Sequence, residues 1–189
     1  MPMPTLTDRL PPGPLTYEDY LELPDDGKQY EILDGELFVT PAPVPRHQRV
    51  SRNLQWILEA YVRAHRVGEI LDAPIDVILA PTTVAQPDLL FIRSGRESIV
   101  TERAVEGPPD LVVEIVSPSS SRKDRTTKAM LYARFGIENF WIVDPDERTF
   151  EIWQLAGGSY RRVARGIDEA AIEPNLFPGL VISLRQIWA

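Results

Sequence analysis

The first residue in this chain with the makings of chemistry is an acid inside an apolar strand. In DLVVEIVSPSSSRKDRTTK, residues 110 to 128, Glu114 shares a face with Val112 and Val116, while Leu111, Val113 and Ile115 face the other way. Unless that face opens to water or a ligand, an ionised carboxylate there costs on the order of several kcal/mol without a cationic partner. Three more carboxylates lie at or within β-prone runs: Asp88 opens the strand in QPDLLFI behind Pro87, Asp76 lies in PIDVILA, and Glu31 in YEILDGE. The base that can answer them is Lys128. On a helix it shares a face with Leu131, Tyr132 and Phe135, so it either snorkels out of that face or meets a buried acid. Glu114 stands on the strand that feeds this helix, and a strand–turn–helix return can bring the two together.

Two or three carboxylates and a lysine suit hydrolysis at phosphorus. Hard divalent cations such as Mg²⁺ take oxygen ligands, often one or two carboxylates with water and substrate phosphate. Such an ion stabilises charge on a phosphoryl oxygen and activates water, and a lysine beside it orients the attacking water or stabilises the developing charge. Acids and lysines are common, so spacing alone leaves plainer readings open. Glu114 also fits a solvated sheet face, Asp88 a turn after proline, and Lys128 an i,i+4 pair with Asp124. Asp76 fits a structural hydrogen bond, and His47 a capping or packing role. His65, near a helix C-terminus, suits the helix dipole. Trp141 and Trp153 read as core or interface residues. The SPSSSRKDR segment can hold phosphate through its hydroxyls with Arg122, Lys123 and Arg125, or simply cap the next helix.

The background is an ordinary globular one. A chain of 189 residues, 43% hydrophobic and 25% charged, suits one domain with a single core. No apolar run reaches the roughly 18 to 20 residues that span a bilayer, and no signal peptide is recognisable at the N-terminus. The chain has no cysteine, which removes disulfides, thiolate metal sites and a cysteine nucleophile together. A cytoplasmic location, with no membrane partner, is the expectation. The net charge of −8 argues against tight nonspecific DNA binding but not against a local basic groove.

The elements that must position these residues are legible in outline. Residues 1–14 are proline-rich and read as a flexible N-terminal arm before a single domain at 15–189. LTYEDYLELP, 15–24, predicts a short helix with Thr16 as N-cap, and QYEILDGELFVT, 29–40, a hairpin around Asp34-Gly35. From Arg46 to His65 the apolar residues recur at helical spacing. Strands are expected at 74–80, 88–94 and 110–117, a helix from Asp124 to Phe135 ending at Gly136, and strands at 139–145 and 149–155. GGSYRRVARG reads as a further strand, and the tail as packing back on the sheet. The fold class is mixed α/β, one central sheet with flanking helices, with a βαβ-like crossover around the second long helix.

In this order the motifs resemble a known family. QPDLLFI followed by PPDLVVEIVSPSSSRKDRTTKAMLYARFGIENFWIVDP resembles the Uma2 family of endonucleases, grouped with the PD-(D/E)xK nuclease superfamily and its restriction-endonuclease-like fold. YEILDGELFVTPAPVPRHQRV and LFPGLVISL extend the resemblance over about residues 15 to 185. It implies that Pro87-Asp88 is the "PD", with Asp88 a metal-binding acid, and that Glu114 is the second acid and metal ligand. The superfamily's lysine two positions later is replaced here by Val116. Lys128 holds the place where the family carries its lysine, on the following helix. Glu31 and His47 also match recurrent family positions, which adds Glu31 as a third acid or supporting group. The implied activity is Mg²⁺- or Mn²⁺-dependent hydrolysis of DNA phosphodiesters, simplest on duplex DNA as a homodimer. Two other readings stand beside it: a nuclease-fold binding or regulatory module with little or no catalysis, and metal-dependent hydrolysis of a small phosphorylated substrate.

Overall fold

The computed structural model describes residues 10–40, 42–116 and 122–189. Most of the proposed N-terminal arm, the phosphate-holding role of SPSSSRKDR and the pairing of Asp124 with Lys128 lie outside the described residues and side chains. The chain opens with α1 (Tyr17–Leu21), started by a reciprocal capping box between Thr16 and Asp19. The hairpin of β1 (Gln29–Leu33) and β2 (Glu36–Thr40) follows, and Asp34 and Gly35 both have positive φ, as its two-residue turn requires.

The long helix α2 (Pro45–His65) leads into β3 (Gly68–Asp72), β4 (Val77–Ala80), β5 (Thr83–Ala85) and β6 (Leu89–Arg93). After β7 (Val105–Glu106) and β8 (Leu111–Ile115) comes α3 (Arg122–Arg134). The chain closes with β9 (Asn139–Asp144), β10 (Thr149–Ala156), β11 (Ser159–Ile167), β12 (Ala171–Ile172), β13 (Ile182–Ser183) and α4 (Leu184–Trp188). No described helix is long and apolar enough to cross a membrane.

The expectation of one central sheet needs correcting, because the strands divide. Six form a mixed sheet in the order β11-β10-β9-β8-β6-β3, and five form a second sheet in the order β2-β1-β5-β4-β7, with β12 and β13 paired apart. The front hairpin therefore belongs to its own sheet, joined through Ile32 opposite Val84. Sequence reading also missed β3 and β5, along with the two-residue strands β7 and β12. GEILD carries a glycine and two acids in five residues, and TVA is only three long, so neither shows a clear alternation; pairing with β6 and β1 makes them strands. The PIDVILA strand begins only at Val77, because Pro74 has no N–H to give and Asp76 is turned to side-chain partners.

The six-stranded sheet is covered on both faces, which explains why its central strands read as nearly unbroken apolar runs. On one face Val50, Leu54, Leu58 and Val62 of α2, one helical turn apart and all buried, pack with Phe91, Leu111, Val113, Trp141 and Val143. Each such side chain contributes about 1.5–3 kcal/mol by leaving water. On the other face Leu131 and Tyr132 of α3 pack with Val112, Val116, Phe140 and Ile142, together with Leu33 and Phe38 of the front hairpin. The crossover through α3 joins β8 and β9, which run parallel, as the sequence predicts. Glu114 has the parity of Val112, so it faces α3 and the hairpin.

Candidate active site

Strand register brings the acids together. β6 and β8 pair antiparallel with Leu89 opposite Val113, and one further step along that register sets Asp88 opposite Glu114. The backbone closes the link, since Ile115 N–H donates to Asp88 Oδ2 at 2.6 Å. Glu31 arrives from the other sheet, held by Gln86 N–H, which donates to its Oε1 at 2.7 Å. Gln86 and Asp88 flank Pro87 in the short link between β5 and β6, so this one turn fixes two of the three acids.

Lys128 comes back from α3 to meet them. Its Nζ lies 2.8 Å from Glu31 Oε1 and donates to Glu114 Oε1 and Oε2 at 3.1 and 3.2 Å. One turn further along α3, Tyr132 donates its hydroxyl to Glu114 Oε1 at 2.7 Å. On the opposite side, His47 in the first turn of α2 places Nε2 3.1 Å from Asp88 Oδ1. All four predicted residues, with His47 and Gln86, line one cavity of about 180 Å³ whose remaining wall includes Phe38, Phe140 and Ile142.

The charges are mostly shielded from water: the side chains of Glu114, Lys128 and Glu31 are 15%, 14% and 6% exposed. One ammonium faces two carboxylates, and that imbalance shapes the proton affinities. Burial, only partly offset by Lys128 and reinforced by the charges of Asp88 and Glu31, pushes Glu114 up to about 7. For Lys128 burial acts downward, but the attraction of Glu114 and Glu31 outweighs it and holds the ammonium well above its ordinary value. His47 behaves alike: burial lowers it, Asp88 and the Ile115 backbone raise it, and the net direction is upward. Burial and the facing Glu114 keep the Tyr132 hydroxyl protonated.

The geometry resolves several side questions. Asp76 accepts from the Tyr20 hydroxyl at 2.6 Å and from Gln86 Nε2 at 2.8 Å, the structural hydrogen bond anticipated for it. His65 stacks on Tyr61 at the end of α2, with ring centroids 4.0 Å apart, and Trp141 is fully buried in the core. Val116, where the superfamily pattern puts lysine, is buried among apolar side chains. Two site residues were not singled out from the sequence. Tyr132 carried a usable signal, because a tyrosine one turn from a lysine on a buried face needs a partner for its hydroxyl. Gln86 carried none beyond its place before Pro87-Asp88.

A divalent cation is the group that the family resemblance implies for these acids. Among the described residues no three Asp, Glu or His side chains are already gathered as a metal cage. Two hard carboxylates on adjacent strands nevertheless fit Mg²⁺ or Mn²⁺, which take one or two carboxylates and fill the rest with water and substrate phosphate. Asp88 and Glu114 would hold the ion.

Comparison with known proteins agrees with this architecture. No curated protein matches the chain. A solved structure that does is that of "a putative nuclease belonging to DUF820" from Anabaena variabilis ATCC 29413, with a TM-score of 0.77 and 19% identity over 93% of this chain and 98% of the other. At that identity it establishes the shared fold, which is restriction-endonuclease-like. The family model of Uma2, described as "Putative restriction endonuclease", matches residues 17–185. With the match running from α1 into α4 and taking in every strand between them, this chain belongs to the Uma2 family.

Proposed function

We propose that this protein is a metal-dependent endonuclease that hydrolyses phosphodiester bonds in DNA. The observation that carries the reading is the convergence of Asp88, Glu114 and Lys128, with Glu31, on one cavity in a fold of this family. A bound Mg²⁺ or Mn²⁺ would supply Lewis-acid stabilisation of the phosphoryl oxygens and a more acidic water. The protein's own part is positioning. Asp88 and Glu114 present the carboxylates from paired strands, and the Ile115 N–H fixes the rotamer of Asp88. Lys128 brings a buried positive charge to where negative charge develops during attack, and Glu31 and Gln86 hold that ammonium and its carboxylate in place. A homodimer with two such sites related by a twofold axis would cut both strands of a duplex.

The test is cleavage of single- and double-stranded DNA with Mn²⁺ or Mg²⁺, stopped by chelation and restored by added metal. Asp88→Ala and Glu114→Ala, each confirmed as folded, are expected to abolish cutting. Cleavage that persists in both would end this assignment.

One observation favours a second reading, a nuclease-fold binding module. Glu31, Asp88 and Glu114 each already have protein donors, so a cation must compete with Lys128 and His47 for them. That module would bind Mn²⁺ weakly and cut nothing. Micromolar Mn²⁺ binding that depends on Glu114 would argue against it.

A further inference from the structure

We propose that His47 is a direct ligand of the divalent cation, paired with Asp88, so that the centre carries a nitrogen donor and prefers Mn²⁺ to Mg²⁺. This rests on the metal-dependent reading above and adds to it a residue and a metal selectivity.

The placement is specific. His47 is in the first turn of α2, one turn before Val50 on the core-facing side of the helix, and that face ends at the cavity. Its side chain is only 13% exposed. Asp88 is fixed through its other oxygen by Ile115 N–H, so Oδ1 is the atom left toward the imidazole and the cavity. The separation of His47 Nε2 and Asp88 Oδ1, 3.1 Å, also suits two donors on one ion. Bonds of about 2.1 Å at right angles put adjacent ligand atoms about 3 Å apart. A cation that displaces the proton between them would meet both atoms at once, whereas Glu114 has to turn from Lys128. The imidazole biases the site toward Mn²⁺ over Mg²⁺: both ions take carboxylate, carbonyl and water, but Mg²⁺ is the harder of the two and dehydrates reluctantly, so a nitrogen donor costs it more.

The measurement is pulsed EPR of the full-length protein loaded with Mn²⁺, read for coupling to a directly bound ¹⁴N. Calorimetry of Mn²⁺ and Mg²⁺ binding accompanies it in wild type, His47→Ala and His47→Asn. Wild type is expected to show the nitrogen coupling, and both variants to lose it. Mn²⁺ affinity should fall about tenfold or more in the variants, while Mg²⁺ affinity falls much less. Mn²⁺ bound through Glu114 and Asp88 without nitrogen coupling in wild type overturns the ligand role of His47 and leaves the nuclease reading standing. Equal losses for both metals overturn the selectivity. No Mn²⁺ binding in wild type overturns the metal-dependent reading itself and this proposal with it. The wild-type spectrum decides the ligand question even where a variant fails to fold.

Discussion

Lys128 Nζ sits 3.1 Å from Glu114 Oε1, and the helix that carries the lysine is the one the glutamate's strand runs into. The pair answers the acid in the apolar strand. Glu114 faces α3 rather than water, and α3 returns a cation to it. The same ammonium also holds Glu31 from the other sheet, so a single side chain ties together the two sheets and the crossover helix.

Removing that ammonium should cost stability as well as activity. Lys128→Met leaves two carboxylates buried without their cation, and breaking such a pair typically costs about 3–5 kcal/mol. Lys128→Met combined with Glu114→Gln should recover part of the loss while remaining inactive. Urea denaturation of the four proteins of the double-mutant cycle measures the coupling, and strict additivity would show that the contact is energetically idle.

The proton on Glu114 makes stability depend on pH in a stated direction. Its folded-state value of about 7 lies above the ordinary 4.5, so the native state keeps a proton that the unfolded chain has lost. That contribution is fully present below pH 4.5, declines as pH rises toward about 7, and changes no further above it. At about 1.36 kcal/mol per unit the span is roughly 3 kcal/mol. Unfolding free energies taken below, within and above the window should show the decline, and Glu114→Gln should flatten it.

Tyr132→Phe keeps the buried ring and deletes only the donor to Glu114. Loss of a hydrogen bond to a charged group is worth about 1.5–3 kcal/mol. The hydroxyl also favours the ionised carboxylate, so its loss should move the Glu114 titration to higher pH. Site-specific NMR titration reads the shift; an unchanged midpoint would remove Tyr132 from the site.

Gly68 in β3 has φ +152°, and a Cβ there would fall 2.1 Å from the carbonyl oxygen of Ile92 on β6. Gly68→Ala should therefore separate the β3–β6 edge, lower the thermal midpoint by several degrees and reduce soluble yield. Wild-type stability in this variant would mean that the two strands are not in this register.

How much of this was written in the chain can be argued residue by residue. The helix carrying Lys128, the strand carrying Glu114, the Asp34-Gly35 hairpin and the α2 stripe all follow from local periodicity and turn chemistry, because neighbours in sequence impose them. The division into two sheets did not follow, nor did β3 and β5, since short strands are defined by distant partners rather than by their own pattern. The sequence alone determined which residue types can do chemistry here: acids on strands, a lysine on an apolar helical face, and a histidine opening the long helix. Only the tertiary structure decided their partners. Whether Lys128 snorkels to water or meets two buried acids, and whether His47 caps a helix or touches Asp88, depends on sheet register and on which face each helix covers. Those relations are fixed by packing between segments far apart in the chain, where no local pattern reaches.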